Sequence, residues 1–166
     1  MKRGFYYQFP LCKIGIVEES GSIISVFFCP EKKSARGRQK ADKLSAGLNL
    51  AETDLIKKTA LELREYFEGK RKKFDLPLSP SGTGFQLSVW KALQAIPYGS
   101  TCSYQDIAVS VGSPKACRAV GLANNRNPIA IIIPCHRVIG KDGSLTGYGG
   151  GLDVKQSLLD LEEKFL

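Results

Sequence analysis

The sequence holds a single histidine, which limits where acid–base chemistry near neutral pH can occur. Histidine is the side chain whose unperturbed pKa lies closest to neutral, so among these 166 residues His136 alone offers that chemistry. The chain also lacks the run of about 18 apolar residues that a membrane-spanning helix needs. Its first residues carry charge without an apolar segment, which argues against a signal peptide. We therefore expect an intracellular protein with no membrane partner.

The cysteines lack the spacing of a disulfide framework or a zinc site. There are five, an odd number, and none form the Cys-x-x-Cys pair that is typical of zinc ligands. A zinc site would need further histidines or clustered cysteines. The pattern predicts free thiols in a reducing compartment, the cytoplasm or, in a eukaryote, the nucleus. We expect neither a metal nor another cofactor.

Charge is the one biased feature of the composition. The hydrophobic fraction of 43% and the charged fraction of 24% are ordinary for a soluble globular protein. The net charge of +8 favours an anionic partner. Its densest basic segment, residues 31–43, holds six basic and two acidic residues. A solvated loop and a phosphate-binding patch are both open interpretations of that segment.

The first half of the chain predicts a small α/β domain. Residues 5–29 are typical of a hairpin, with strands at 13–17 and 23–28 and a turn at 18–21. An amphipathic helix follows at 52–68, where Gly69 ends it. The Pro/Gly/Ser-rich segment 76–84 is the one linker-like stretch. We place the domain boundary there, between domains 1–79 and 80–166.

The second half predicts short helices. One begins near Phe85 and ends at Ile96. Ser103 and Asp106 have the spacing of a capping box for a helix over 104–111, and Gly112 then ends that helix. Ser113 as a cap and Pro114 at the first helical position predict the next helix, which completes a helix-turn-helix. A helical hairpin without a binding role is the alternative, and a last helix spans 154–165.

The second helix of this pair has unusually small side chains, with one arginine among them. The small residues are Ala116, Cys117, Ala119, Gly121 and Ala123. They could simply allow close packing on a neighbouring helix, with Arg118 exposed. Alternatively, a low-profile helix could enter a narrow groove of DNA, where Arg118 would probe the base stack, as side chains of minor-groove proteins do.

The most reactive pattern is Cys135 followed by His136. An apolar run, 129–133, is typical of a buried strand that ends at Pro134, because proline cannot donate to a strand ladder. Cys135 could be a small buried hydrophobe or a nucleophile activated by the imidazole and by the charge of Arg137. In extended chain the two side chains would point apart, so a water or a bend after Pro134 is needed. Glu162, otherwise a solvated charge, is the candidate that orients the imidazole.

These segments together resemble the O6-alkylguanine-DNA alkyltransferases, also called methylated-DNA–protein-cysteine methyltransferases. The resemblance runs without gaps from about Phe85 to Glu162 and is weaker before it. The matching segments are Pro134–Val138, Asn127–Pro128, Gly147–Gly151, Ser103–Gln105, Ala116–Gly121 and Leu158–Glu162. It implies an α+β fold, with an N-terminal α/β, ribonuclease-H-like domain and a C-terminal, mostly helical winged helix-turn-helix domain.

The resemblance also implies a function and a set of roles. The family repairs DNA by irreversible, single-turnover transfer of an alkyl group from O6-alkylguanine, and from O4-alkylthymine, to its own cysteine. The expected partner is double-stranded DNA, bound through its minor groove by a monomer. By this resemblance Cys135 is the acceptor, His136 its base through a water, Glu162 the carboxylate that holds His136, Tyr104 the proton donor and Asn127 the hinge amide. The expected DNA contacts are Arg118, Ser113, Ala116, Cys117 and Asn124, and the expected base pocket is Val138, Tyr148, Gly149 and Gly150.

Two departures from the family pattern and two rival functions accompany this resemblance. Gly149 stands where the family often has serine or alanine, so backbone N–H must replace a hydroxyl contact there. Cys117 stands where alanine is usual. A thiol hydrolase or redox enzyme could also use a Cys–His pair, but it would turn over without DNA. A non-catalytic DNA-binding module could use the helix-turn-helix alone, but such relatives have the cysteine replaced.

Overall fold

A computed structural model describes residues 1–29, 42–43 and 45–166. The chain divides into two compact units, Met1–Pro80 and Ser81–Leu166. The α+β class with a sheet-containing first unit and a mostly helical second unit is as predicted. Apart from residues 42 and 43, the basic segment 31–43 lies outside the described residues. None of the helices in the described part of the chain is long and apolar enough to cross a membrane.

The first unit is a four-stranded sheet with a helix packed on it. The strands are β1 (Arg3–Gln8), β2 (Lys13–Glu19), β3 (Ser22–Cys29) and β4 (Asn49–Leu50). Their order is β3-β2-β1-β4, with β1, β2 and β3 antiparallel and β4 parallel to β1. The predicted hairpin is therefore correct, and its turn is the two residues Ser20–Gly21, both at positive φ. The sequence prediction included the residues of β1 in the hairpin segment and did not give β1 as a separate strand.

The helix α1 (Asp54–Phe67) covers this sheet. Thr53 caps it by accepting a hydrogen bond from the Ile56 N–H at 3.2 Å, and Gly69 ends it at a φ of 74°. Apolar residues on one side of α1, including Ile56 and Leu63, are fully buried. They form the core of the first unit with the inward-facing isoleucines of β2.

The second unit holds four helices and a two-stranded parallel pair. The helices are α2 (Gly84–Gln94), α3 (Tyr104–Ser110), α4 (Cys117–Asn125) and α5 (Leu152–Lys164). The strands β5 (Cys102–Ser103) and β6 (Val138–Ile139) pair with each other. The buried indole of Trp90 donates to the Ala123 carbonyl at 2.9 Å and ties α2 to α4. The predicted capping box of α3 is present, with Ser103 and Asp106 each accepting the other's backbone N–H.

Two sequence-based expectations about this unit are corrected. The helix predicted to begin at Pro114 begins at Cys117, because residues 113–116 form a hydrogen-bonded turn and Gln105 donates to the Pro114 carbonyl. The apolar run 129–133 is a series of turns, with one isolated bridge residue, and not a strand. Its residues are buried all the same, so hydrophobicity alone had suggested a strand where the chain instead folds back on itself.

Candidate active site

The turn of residues 129–133 positions the reactive segment. Ile131 has a φ of 70°, a strained conformation for a β-branched residue. Asn127 holds both ends of this turn: its amide donates to the Ile133 carbonyl at 2.7 Å and accepts from the Ile129 N–H at 3.0 Å. Asn127 is only 3% exposed. The turn is thus locked by one buried amide just before Pro134.

Cys135 begins a short 3-10 helix, Cys135–Arg137, and is buried. Its N–H donates to the Ile133 carbonyl at 2.8 Å. Its own carbonyl accepts from the Asn124 amide of α4 at 3.2 Å. Asn124 is 2% exposed, which differs from the expectation that it contacts DNA. The side chain faces inward, where its amide group binds the backbone of Cys135.

After Pro134 the chain bends into this 3-10 turn, which holds both Cys135 and His136. His136 is fully buried, and its Nε2 lies 3.0 Å from the Glu162 carboxylate, which is also buried. Because a carboxylate is an acceptor, Nε2 carries the proton in the neutral ring and Nδ1 keeps a lone pair. Nδ1 is buried and has no protein partner within the described part of the chain. This is the atom that can accept a proton.

The electrostatics of the pair keep histidine neutral and glutamate charged. Burial lowers the pKa of His136, and the positive charges of Arg137 and Lys155 lower it further. The hydrogen bond to Glu162 and the charge of that carboxylate raise the pKa, but not enough to restore its ordinary value. Burial alone would raise the pKa of Glu162, but the hydrogen bonds from His136 and Arg137 outweigh it and hold that pKa below its ordinary value. In the resting protein the imidazole is therefore a base rather than an imidazolium.

Arg137 has a different role from the one that the sequence suggested. Its Nε donates to Glu162 at 2.8 Å, its Nη2 also contacts that carboxylate, and its Nη1 donates to the Ile96 carbonyl at 2.8 Å. Its guanidinium therefore forms an ion pair with Glu162. Sequence reasoning missed this pairing, since a contact between residues 25 positions apart leaves no local pattern.

Tyr104, the first residue of α3, lies beside the 146–151 loop. Its hydroxyl donates to the Thr146 carbonyl at 3.0 Å and accepts from the Thr146 hydroxyl at 3.1 Å. An open pocket of about 330 Å³ lies here, and Cys117, Arg118 and Gly121 of α4 form another side of it. Tyr104 and Arg118 are thus brought to one pocket, as the helix-turn-helix prediction required.

Of the other predicted contacts, only Arg118 and Cys117 line this pocket. Arg118 is exposed on α4, and Ser113 and Ala116 lie half-buried before that helix. The Cys117 thiol donates to the Gln105 side chain at 2.9 Å. Val138 is buried in β6. Tyr148, Gly149 and Gly150 lie in the loop after Gly147 and are not among the residues that line the pocket.

Lys155 is a residue of the site that sequence reasoning missed. It lies in α5 and is fully buried, and its ammonium donates to the Thr146 carbonyl at 3.1 Å. A signal for it was present, because Lys155, Leu158 and Glu162 have the spacing of one helix face. All three are buried. The hydrophobic pattern that begins at Val154 instead predicted that a neighbouring face of this helix is buried.

Comparison with known proteins gives matches to both units. The model of the 6-O-methylguanine DNA methyltransferase ribonuclease-like domain matches residues 2–80, and that of the corresponding DNA binding domain matches residues 84–164. A methylated-DNA–protein-cysteine methyltransferase of Methanosarcina barkeri is 66% identical over 111 residues, covering 67% of this chain and 70% of the relative. The inducible one of Bacillus subtilis is 52% identical over 122 residues, covering 74% and 68%.

Solved structures match over nearly the whole chain. The Mycobacterium tuberculosis O6-methylguanine methyltransferase superposes with a TM-score of 0.86 at 38% identity, covering 100% of this chain and 95% of that one. A crystal structure of Mycobacterium tuberculosis OGT in complex with DNA gives a TM-score of 0.83 at 41% identity, covering 99% and 93%. The similarity therefore extends to the first unit, where the sequence resemblance was weak.

Proposed function

The chain belongs to the 6-O-methylguanine DNA methyltransferase family, and from that premise we propose that Cys135 is its alkyl acceptor. The protein repairs DNA by direct reversal, moving the alkyl group of a methylated base to one of its own cysteines. The observation that carries the assignment to Cys135 is its position in the same 3-10 turn as His136, which is bonded to Glu162 at 3.0 Å. The other four cysteines are only half-buried and have no such neighbour.

The thiol must lose its proton before it can attack. We assign the base to His136 Nδ1, acting through a water, since this atom is buried with a free lone pair while Glu162 holds the other nitrogen. The sulfur then attacks the alkyl carbon, the C–S bond forms and the C–O6 bond breaks. The electron pair of that bond leaves with guanine, which must be protonated. The product thioether has no carbonyl for water to attack, so the protein reacts once.

We assign protonation of the leaving guanine to Tyr104. Its hydroxyl lies at the pocket but is engaged by Thr146 on both its donor and its acceptor side. An entering base must therefore displace this contact, and the hydroxyl then becomes available to the base. The backbone of Val138 and of residues 148–150 would complete the base pocket, with an N–H group in place of a side-chain hydroxyl at Gly149.

We propose that α4 enters the minor groove of the duplex. The target base must leave the stack to reach a buried sulfur, and exposed Arg118 would fill the space that it vacates. Ser113, Ala116 and Cys117 lie at the approach to the same helix. O4-alkylthymine is a second expected substrate. The protein would act as a monomer, in the cytoplasm or, in a eukaryote, the nucleus.

Intact mass measured after mixing with duplex DNA that carries one O6-methylguanine tests this function. We expect a gain of one methyl group per protein, mapped to Cys135 by peptide analysis, and no gain with unmodified duplex. Cys135→Ser should remove the gain and Cys117→Ser, at a thiol beside the same pocket, should keep it. Repeated turnover would favour a thiol hydrolase, and binding without transfer would favour a non-catalytic DNA-binding module.

A further inference from the structure

The Thr146 carbonyl at the pocket accepts hydrogen bonds from two side chains. One comes from the Tyr104 hydroxyl at 3.0 Å and the other from the Lys155 ammonium at 3.1 Å. A carbonyl oxygen has two lone pairs, so these two donors fill its capacity. The donors differ in their surroundings, because Lys155 is fully buried whereas Tyr104 lines the open pocket together with Thr146.

Lys155 lies near the start of α5, which follows the loop that carries Thr146. Its ammonium also lies 5.9 Å from the centre of the Tyr104 ring, so it borders that residue directly as well as through the shared carbonyl. Two turns further along the same face of α5, Glu162 holds His136 at 3.0 Å. A single helix thus contacts both of the groups to which proton transfer is assigned above.

Entry of a base changes which groups can bind the Thr146 carbonyl. In the proposed reaction, the Tyr104 hydroxyl leaves this carbonyl and turns to guanine. Thr146 is exposed in the free protein, so water can reach it from the pocket. A bound base expels that water, and an acceptor that lacks a donor in a dry site is unfavourable. The carbonyl therefore depends on a second donor from the protein when Tyr104 is released.

From these contacts we propose that Lys155 supplies this donor and is thereby a positioning residue for Tyr104. The proposal rests on the function assigned to Tyr104 above. Because the ammonium stays on the Thr146 carbonyl, the Tyr104 hydroxyl changes partners without leaving that carbonyl unsatisfied. No covalent bond is made or broken in this exchange, in which one hydrogen bond of Tyr104 passes from Thr146 to the base.

The test is a double-mutant cycle on the rate of alkyl transfer from duplex DNA that carries O6-methylguanine. The proteins are the wild type, Lys155→Met, Tyr104→Phe, the double variant and, as a control, Lys164→Met at an exposed lysine of the same helix. Lys155→Met should slow transfer about 10-fold, as expected for one hydrogen bond. In the Tyr104→Phe background it should slow transfer by at most about twofold, because no hydroxyl is exchanged there.

Equal fold losses in the two backgrounds would overturn the proposal, since a residue that only stabilises the fold has no reason to depend on the Tyr104 hydroxyl. Urea unfolding of each variant measures that stabilising effect separately. Lys155→Arg keeps N–H donors at this position and should retain more of the rate than Lys155→Met. Lys164→Met should react like the wild type.

Lys155→Gln covers the case in which Lys155→Met does not fold. Glutamine stays polar in the buried position, but its side chain is one atom shorter, which weakens the contact with Thr146. We expect the same dependence on Tyr104, and its absence would again reject the role of Lys155. A wild-type protein that gains no methyl group on Cys135 would instead reject the proposed function itself.

Discussion

At the scale of single residues, Glu162 accepts hydrogen bonds from two side chains, the cationic Arg137 and the titratable His136. It binds the imidazole of His136 through one oxygen and the guanidinium of Arg137 through both. Arg137 keeps the carboxylate ionised, and the carboxylate in turn fixes which imidazole nitrogen carries the proton. A surface glutamate next to it in sequence, Glu163, has neither partner.

Glu162→Gln is expected to slow alkyl transfer. An amide cannot attract a proton to His136 as a carboxylate does, so the pKa of Cys135 should rise and the pH–rate curve should move to higher pH. The rate should fall on the order of 10- to 100-fold, as for other carboxylates that orient a histidine. Both effects can be measured from quenched time courses of reaction with duplex DNA that carries O6-methylguanine, taken at a series of pH values. Glu163→Gln is the matched control, and an unchanged profile in Glu162→Gln would make Glu162 a structural charge only.

His136 should make the protein less stable as the pH falls. Its pKa in the folded state is lowered from the ordinary value of 6.5, so below about pH 6.5 the unfolded chain binds a proton that the folded chain does not. The free energy of unfolding should then decline with falling pH by at most about 1.4 kcal/mol per pH unit. Urea unfolding between pH 5 and pH 8 measures this slope.

Because His136 is the single histidine of the chain, the pH dependence of the unfolding free energy in this range can be assigned to it. His136→Gln should abolish the slope between pH 5 and 6.5, a window that lies above the range in which Glu162 titrates. A wild-type free energy of unfolding that rises on acidification through this window would mean that the folded protein holds a charged imidazole, contrary to a neutral resting base.

At the scale of elements, α4 connects the surface proposed to bind DNA to the backbone of Cys135. Arg118 lies in its first turn and is exposed, and Asn124 near its end is bonded to the Cys135 carbonyl. The Trp90 indole of α2 also contacts this helix, because it donates a hydrogen bond to the Ala123 carbonyl. A displacement of α4 would therefore act on the backbone of Cys135 through Asn124.

Arg118→Ala should slow repair in duplex DNA far more than reaction with the free base O6-benzylguanine. Extrusion of a base from a duplex costs a few kcal/mol, which a side chain inserted in the vacated space lowers. A free base has no stack to leave. Rates on the two substrates decide this, and Arg126→Ala, an exposed arginine at the other end of α4, removes the same charge without the effect. Equal losses on both substrates would contradict the stacking role.

Asn127→Ala should destabilise the second unit by about 2–4 kcal/mol. The substitution leaves the buried Ile129 N–H without a partner, which costs about 1–3 kcal/mol, and removes one of the two hydrogen bonds to the Ile133 carbonyl, worth about 0.5–1.5 kcal/mol. The strained turn at Ile131 would lose its lock as well. Urea unfolding gives the value, with Asn125→Ala at the exposed neighbouring position as the comparison. A loss near that of the comparison variant would show that water replaces the amide at no cost.

At the scale of the whole molecule, the positive charge is unevenly divided. Residues 1–80 carry 16 basic and 10 acidic side chains, whereas residues 81–166 carry 8 and 6. The unit that bears Cys135 therefore contributes little of the net charge.

Alkylation should lower the stability of the whole protein, and this loss of stability should grow with the size of the alkyl group. Cys135 is buried and follows closely on the 129–133 turn that Asn127 holds, so an added group overpacks a tight site at about 1–3 kcal/mol. A domain has only about 5–15 kcal/mol in total. Thermal melts and DNA affinities of free, methylated and benzylated protein measure the trend. Benzylated protein as stable as methylated protein would contradict overpacking as the cause.

Local patterns predicted much of the fold. The hairpin, α1, the capping box of α3 and the small residues of α4 each depend on residues close together in sequence. The start of α4 and the form of the 129–133 run were wrong, because both depend on contacts from elsewhere: Gln105 on the turn after α3, and Asn127 on the isoleucines. Burial of those isoleucines was predictable, whereas their backbone conformation was not.

The sequence by itself determined the chemistry of this protein, since one histidine beside one cysteine, with Glu162 as the candidate acceptor, follows from residue identity and order. Tertiary structure alone decided how the charges are shared. Arg137 pairs with Glu162 across 25 residues, the Asn124 amide donates to the Cys135 carbonyl, and Lys155 is buried against the Thr146 carbonyl. Electrostatic effects depend on distance and on exclusion of water, and neither is encoded at any fixed spacing along the chain.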